Sequence, residues 1–312
     1  EITPKKLDVS FTGNGHSEGG YSYEYGSSEA AQATFSGFAY QEGQSVLSAE
    51  IKYNAIDENR GIPAAVGNYT VTVSFTNPNY YLSEDPESGY GREYSESYVI
   101  TPKTLTVAVT GQTVVYGEEL GEWKISAEGW AYEEKTAYEA DFIAALQNGI
   151  SHSYNAGSPV LEGGYTATLS TPELDEWTEN YTFVYNGGTG SGTATINVEK
   201  RQITVTIDNV GHTYGGEVVA LTASEALTGG QNISGSNAFA AGDNAQEVYE
   251  LYVDGATIVS FSDVADYEIH GRQADAKGGN YEIAFVGEGS SNIYGIYTVS
   301  PAEIAFADYA YE

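Results

Sequence analysis

Few residues in this chain have the type and spacing to do chemistry. Four histidines, His16, His152, His212 and His270, are the first candidates, because imidazole is the usual general base near neutral pH and a common metal ligand. No two stand at metal-ligand spacing, and none recurs at an equivalent place in the repeats described below. They read as surface or turn histidines. The absence of cysteine removes thiol catalysis, thiolate metal sites and disulfides. With 44 acidic residues, a pair suited to glycoside hydrolysis is always available. Such a pair therefore carries no information, and repetition suits length or valency better than a single active site. Acidic clusters at 57–59 ("DEN"), 84–87 ("EDPE") and 173–180 ("ELDEWTEN") offer oxygens for calcium. None follows the Asp-x-Asp-x-Asp-Gly spacing of a calcium loop. "NGGTGSG" at 186–192 lacks the Lys and following helix of a phosphate loop and lies between two strand patterns, so it reads as a hairpin or bulge loop. Asn68, Asn180 and Asn232 match the glycosylation acceptor pattern, but at the first two the Asn-Tyr pair reads as a strand start. A Lys–Asn isopeptide crosslink would need a buried Lys, Asn and acid that the sequence does not locate. The sequence thus assigns no catalytic residue, no cofactor-binding residue and no metal ligand, and it leaves ligand-binding residues unknown.

The aromatic residues are the remaining hint of binding. There are 27 Tyr, 10 Phe and 3 Trp, and Tyr80, Tyr81, Tyr90, Tyr94 and Tyr98 crowd one short region. Exposed rings stack on sugars and on protein surfaces. Strands also bury tyrosine in cores and in cross-strand pairs, and that is the expectation here.

Whatever these residues do, a β framework must position them. The chain has 312 residues, is 41% hydrophobic and holds 37 Gly. It is rich in Tyr, Thr, Val and Ile, which suit a pleated, half-buried surface. Net charge is −32. Nucleic acid is excluded as a partner, because phosphates require a Lys/Arg footprint, and an anionic membrane surface is disfavoured for the same reason. No apolar run approaches the roughly 18 residues of a membrane span. The chain starts at Glu1, without Met or a signal-peptide pattern, and reads as a section of something longer.

Internal repeats organise the whole. "I-T-P-K-x-L" at Ile2 returns at Ile100, then as "VEKRQI" at Val198 and "VSPAEI" at Val299, spacings of 98, 98 and 101. Each phrase precedes an alternating run. A Tyr-Gly pair follows at Tyr25-Gly26, Tyr116-Gly117 and Tyr214-Gly215, the first delayed by an insertion within "GNGHSEGGY". Next come Gly37-Phe38-Ala39-Tyr40 and Gly129-Trp130-Ala131-Tyr132, with "NAFAAGD" at 237–243 as a looser echo. Strand starts at "GNYTV", "GGYTA" and "ADYEI" precede Asn79-Tyr80, Asn180-Tyr181 and Asn280-Tyr281. The boundaries are 1–99, 100–197 and 198–298, with 299–312 the stub of a fourth module. In the middle module, strands are predicted near 104–110, 113–116, 123–128, 151–155, 165–170, 181–186 and 192–198. Helical spacing of Tyr138, Phe142, Ile143 and Leu146 predicts one helix over 133–147. "DNAQEVYELYV" at 243–253 is its expected counterpart. The fold class is mainly β: a tandem array of three modules of ~98 residues, with one short helix allowed in each. Two architectures fit, an immunoglobulin-like sandwich and a β-grasp-like sheet. Short Pro-marked junctions predict a semi-rigid, elongated, monomeric rod.

Tyr116-Gly117, Gly129, Gly164-Tyr165, Asn180-Tyr181 and the closing "INVEKRQITV" resemble the YG-type MBG repeats of large bacterial surface proteins. The resemblance spans nearly the whole chain, although these modules are longer and the first carries an insertion. It implies an extracellular, cell-wall-attached or secreted adhesin-like protein with tandem β modules, and it transfers no catalytic residues. The expected function is a non-catalytic stalk or spacer in bacterial adhesion. The alternative is a module that binds a host or microbial surface glycan or protein directly. No cofactor and no membrane insertion of this segment are expected.

Overall fold

The computed structural model describes residues 3–85, 89–170, 176–185, 188–189, 191–289 and 292–305. Parts of "EDPE", "ELDEWTEN" and "NGGTGSG", and 306–312 of the fourth-module stub, lie outside the described residues. The chain divides into two compact units. One holds 1–109, 125–150 and 169–192; the other holds 110–124, 151–168 and 193–312. The division passes through the second repeat.

The protein is mainly β. In the first unit, the first repeat forms a five-stranded sheet from His16–Ser17, Gly20–Glu24, Glu93–Thr101, Gly67–Ser74 and Glu50–Tyr53, in that spatial order. Three smaller pairs accompany it: Asp8–Thr12 with Gln32–Ser36, Lys5–Lys6 with Tyr80–Tyr81, and Ser83–Asp85 with Gly89–Gly91. Phe11, Tyr21, Val71, Val73, Tyr98 and Ile100 are buried. The insertion forms a hairpin, His16–Ser17 with Gly20–Glu24. Gly20 permits it. It sits at φ +129, and a Cβ there would lie 2.3 Å from the Ser97 carbonyl oxygen.

The same unit contains Ile125–Glu128, Lys103–Val109, Tyr181–Tyr185 and Gly188–Thr189 as a mixed sheet, with the helix Glu134–Asn148 beside it. Phe142 and Leu146, four apart, face inward and are buried. Phe142 meets Trp130 edge-on at 5.9 Å and Phe183 at 5.4 Å, and Trp177 stacks on Tyr138 at 5.1 Å.

Most of the sheet Gln112–Val115, Ser191–Glu199, Tyr165–Ser170 and Ile150–His152, and the whole third repeat, belong to the second unit. That repeat is a sandwich of two sheets. Ala223–Leu227, Arg201–Ile207 and Tyr281–Gly287 form one; Val210–Thr213, Gly295–Ser300, Asp266–Gln273 and Tyr249–Val253 form the other. Ile207, Ile269, Tyr297 and Val299 fill the space between, with Phe285 and Val253 against them. Gly271 leaves room for the Phe285 ring, which a Cβ would meet at 2.1 Å. The expected helix at 243–253 is a single turn, Ala245–Val248, that passes directly into a strand. "YELYV" alternates with period two, and its pairing with Asp266–Gln273 prevails over helix propensity. In the first repeat the counterpart is only a 3₁₀ turn, Gln44–Val46.

Two parallel pairings recur. The opening strand of each repeat runs parallel to the Asn-Tyr strand: Lys5 opposite Tyr80, Lys103 opposite Tyr181, Arg201 opposite Tyr281. The strand before each Tyr-Gly pair runs parallel to the closing strand of the same repeat. The closing and Tyr-Gly strands therefore end together at the junction. The tip tyrosine makes the last rung there, through Tyr25 N–H to Thr101, Tyr116 N–H to Glu199 and Tyr214 N–H to Ser300.

Candidate functional site

The histidines do not assemble into a centre. His16 pairs with Glu96 at 2.7 Å, and His270 with Glu268 at 3.0 Å. His152 meets the Tyr154 carbonyl, and buried His212 meets the Tyr297 hydroxyl at 2.9 Å. Among the described residues no cluster of three or more His, Asp or Glu is placed to hold a metal ion. No lysine among them is buried, as an isopeptide crosslink would need. The crowded tyrosines are largely packing residues: Tyr80 and Tyr98 are buried, and Tyr81 pairs with Tyr90 at 4.7 Å.

The repeated Tyr-Gly and Asn-Tyr pairs do converge, at the joints between successive repeats. In the first joint, Tyr25 Oη donates to Glu134 Oε1 at 2.5 Å. Tyr181 Oη donates to the other oxygen, Oε2, and accepts the Ala131 N–H at 2.7 Å. The Tyr25 ring lies edge-on to Tyr181 and Tyr132, at 5.5 and 5.2 Å. Arg60 covers the Tyr132 ring at 3.6 Å. Asn180 Oδ1 accepts the Val66 N–H, so this Asn is engaged in the joint. Gly26, at φ +88, lets the tip approach until a Cβ on it would stand 2.7 Å from Ala131 Cβ.

The second joint, inside the other unit, repeats this set. Tyr116 and Tyr281 both donate to Asp243 Oδ2, at 3.1 and 2.8 Å, and their rings meet edge-on at 5.5 Å. Tyr281 Oη accepts the Ala240 N–H at 2.9 Å. Asn280 Oδ1 accepts the Val160 N–H. A Cβ at Gly117, φ +92, would lie 2.5 Å from Ala240 Cβ. One group is added. Arg201 is 3% exposed and donates to the carbonyls of Ala238, Asn237 and Tyr116, and to Glu118 Oε1 at 3.3 Å. A buried guanidinium is tolerable because its donors are matched in this way. Lys103, at the equivalent position in the first joint, reaches Glu24 at 3.9 Å.

The electrostatics follow from burial. Burial first, then the hydrogen bond to Glu134, pushes Tyr25 far above the ordinary tyrosine range. Tyr181 and Tyr281 are pushed up likewise, by burial and by their acids, against the lowering effect of the Ala N–H. Tyr116 is raised by burial and by the charge of Asp243. Burial raises Glu118, but the Ser234 and Arg201 hydrogen bonds outweigh it and the net shift is downward. Each joint is therefore a neutral tyrosine pair donating to one acidic side chain, which in the second joint also takes the Lys277 ammonium on its other oxygen. That arrangement locks backbones together and offers no nucleophile. Grooves flank both joints: one of ≈ 380 Å³ beside Tyr25, Tyr132 and Glu134, and one of ≈ 1040 Å³ beside Glu118, Glu199 and Gln231.

Sequence reasoning singled out the tyrosines, glycines and asparagines but missed the acid and the basic residue. Both carried a signal. An acid stands three residues after the repeated Ala (Glu42, Glu134, Asp243), and a base opens each repeat (Lys5, Lys103, Arg201).

No protein-family model and no curated protein matches the sequence. Among solved structures, the I9–I11 tandem from titin is similar over 91% of this chain and 96% of its own, at 10% identity and a TM-score of 0.24. A likeness at that score carries no argument about fold or function.

Proposed function

We propose that the chain is a non-catalytic repeat segment of an extracellular bacterial surface protein, and that it serves as a spacer in adhesion. One observation carries the reading. The most elaborate polar constellation is made twice, from the same residue types, and each copy joins one repeat to the next. Residues recurring at every junction serve the array, whereas a catalytic centre needs one copy. The resemblance to YG-type MBG modules supports a cell-surface or cell-wall location. A cysteine-free, strongly acidic composition suits an exported, soluble segment. Antibodies against residues 1–312 are expected to label intact, unpermeabilised cells. On arrays of glycans and surface glycoproteins the same segment is expected to show no saturable binding. Labelling only after lysis refutes the location. A saturable array signal replaces the spacer with a directly binding adhesin module.

A further inference from the structure

The strand before each Tyr-Gly pair is held on one side by the closing strand of its repeat. Its other side differs between the first two repeats. In the first, the insertion covers it: His16–Ser17 pairs with Gly20–Glu24, and the Ser22 N–H donates to the Gly15 carbonyl at 2.9 Å. Aligning Tyr25 with Tyr116 places Thr113 where Ser22 stands. The second repeat has no such insertion, and Gln112–Val115 is the edge of its sheet. Alternate residues of a parallel strand aim both backbone groups at the same neighbour. Tyr116 aims its N–H at Glu199, so Val114 and Gln112 also turn inward, whereas Thr113 and Val115 turn outward. The Val115 carbonyl accepts the Glu118 N–H of the following turn. Among the described residues, nothing takes the Thr113 N–H, the Thr113 carbonyl or the Val115 N–H. An open edge of this kind is a template for a further strand.

The same edge is one wall of the ≈ 1040 Å³ groove beside the second joint. The facing wall is the 229–232 segment of the third repeat. Gln231 fastens that wall, accepting the Gln202 N–H and donating to the carbonyls of Gln202 and Thr228. Gly229 and Gly230 leave it open toward solvent, since a Cβ on either would meet nothing within 4 Å. The second joint is already filled by its own two repeats, so this groove is not a place kept for a neighbouring repeat. Its lining is acidic. Glu118 is committed to Arg201 and to the Ser234 N–H. Glu119, Glu199 and Glu282 are exposed and form no ion pair among the described residues, and Lys200 is the one basic residue on the described lining.

We propose that the Gln112–Val115 edge receives an extended, lysine- or arginine-rich peptide segment of a partner protein, which adds one strand to the sheet. The peptide backbone would pair with Thr113 and Val115, as Gly15 pairs with Ser22 in the first repeat. Its basic side chains would answer Glu119, Glu199 and Glu282, so charge selects the partner and backbone pairing fixes its register. A second copy of this chain is the wrong partner, with 12 basic residues against 44 acidic ones. The peptide site is additional to the spacer role and independent of it: if the site fails its test, the spacer reading stands.

The test uses the full chain and a rhodamine-labelled peptide, acetyl-Lys-Thr-Lys-Val-Lys-Thr-Lys-amide, followed by fluorescence anisotropy. A chain of net charge −32 attracts any cation, so the deciding control is the same peptide methylated at every backbone nitrogen, which keeps the charge and loses strand pairing. The unmethylated peptide is expected to bind roughly tenfold more tightly than this control, to weaken as salt rises, and to protect the 112–116 amides from hydrogen exchange. Thr113→Pro removes the outward N–H and leaves the inward ladder its donors, as an edge position allows, and should weaken binding roughly tenfold. The double variant Glu119→Lys with Glu199→Lys alters exposed side chains alone and should weaken binding by at least as much. Both variants must retain the parent circular dichroism. Equal binding of the methylated peptide or of a Glu-for-Lys peptide, affinity unchanged by either variant, protection confined to other surfaces, or no binding at about 1 mM peptide overturns the proposal.

Discussion

Three glycines share one backbone conformation and differ in what stands opposite. Gly26, Gly117 and Gly215 lie at φ +88, +92 and +80. Alanine at any of them incurs the left-handed penalty, about 1–2 kcal/mol. At Gly215 the new Cβ meets only the edge of Phe261, at 3.4 Å, an ordinary contact with a movable ring. At Gly26 and Gly117 it would fall 2.7 and 2.5 Å from a buried alanine Cβ. Neither methyl can rotate away, so the tip must retreat, and overpacking of this kind costs about 1–3 kcal/mol more. The prediction is a difference: Gly26→Ala and Gly117→Ala destabilise by about 1–3 kcal/mol beyond Gly215→Ala. Amide hydrogen exchange in dilute protein measures it, because local opening energies do not require the whole chain to unfold in one step. The excess loss of protection should fall on the peptides around Tyr25 and Ala131 in one variant, and around Tyr116 and Ala240 in the other. Equal losses in all three, within about 0.5 kcal/mol, would mean that the glycines serve only their own turns and that tip docking contributes nothing.

Tyr281→Phe removes the acceptor of the buried Ala240 N–H and one donor to Asp243, and should cost about 2–4 kcal/mol in urea unfolding of the second unit; a loss under about 0.5 would show the hydroxyl to be dispensable. The raised tyrosines give alkaline sensitivity. Below the ordinary tyrosine value both states keep the proton and stability is flat, but above about pH 10 the unfolded chain ionises while the folded joint resists. Each of Tyr25, Tyr116, Tyr181 and Tyr281 then withdraws about 1.4 kcal/mol per pH unit, so urea midpoints that stay level to about pH 11 would contradict the burial argument. Phe142→Ala should cost about 3–5 kcal/mol, shift tryptophan fluorescence from Trp130 and Trp177, and unprotect the helix that carries Glu134.

The legible part of this molecule is its local periodicity. In the second repeat, the predicted 104–110, 113–116, 165–170 and 181–186 are the strands Lys103–Val109, Gln112–Val115, Tyr165–Ser170 and Tyr181–Tyr185, and the predicted 133–147 helix is Glu134–Asn148. Period-two and period-3.6 patterns depend on near neighbours, so the sequence displays them. "DNAQEVYELYV" misled because one turn of helix runs straight into an alternating strand, and a mixed period reads as neither. The joint was only half visible. Its tyrosines recur as dipeptides, but Tyr25 meets Glu134 across 109 residues. No local rule links two residues at that separation. Only alignment of the repeats with one another, followed by a search for an acid at a fixed offset from Ala, exposes the pair.

The parallel pairing of each opening strand also has a mechanical meaning. In the third repeat, Arg201–Ile207 is held by seven paired positions along Tyr281–Gly287, while Gly295–Ser300 lies in the opposite sheet. Tension applied at the two ends of the repeat pulls the opening strand along its own axis. All rungs of that ladder share the load and must rupture together, whereas a hairpin pulled from its open end peels one rung at a time. Whatever tugs on the third repeat therefore meets a shear-loaded ladder of seven rungs.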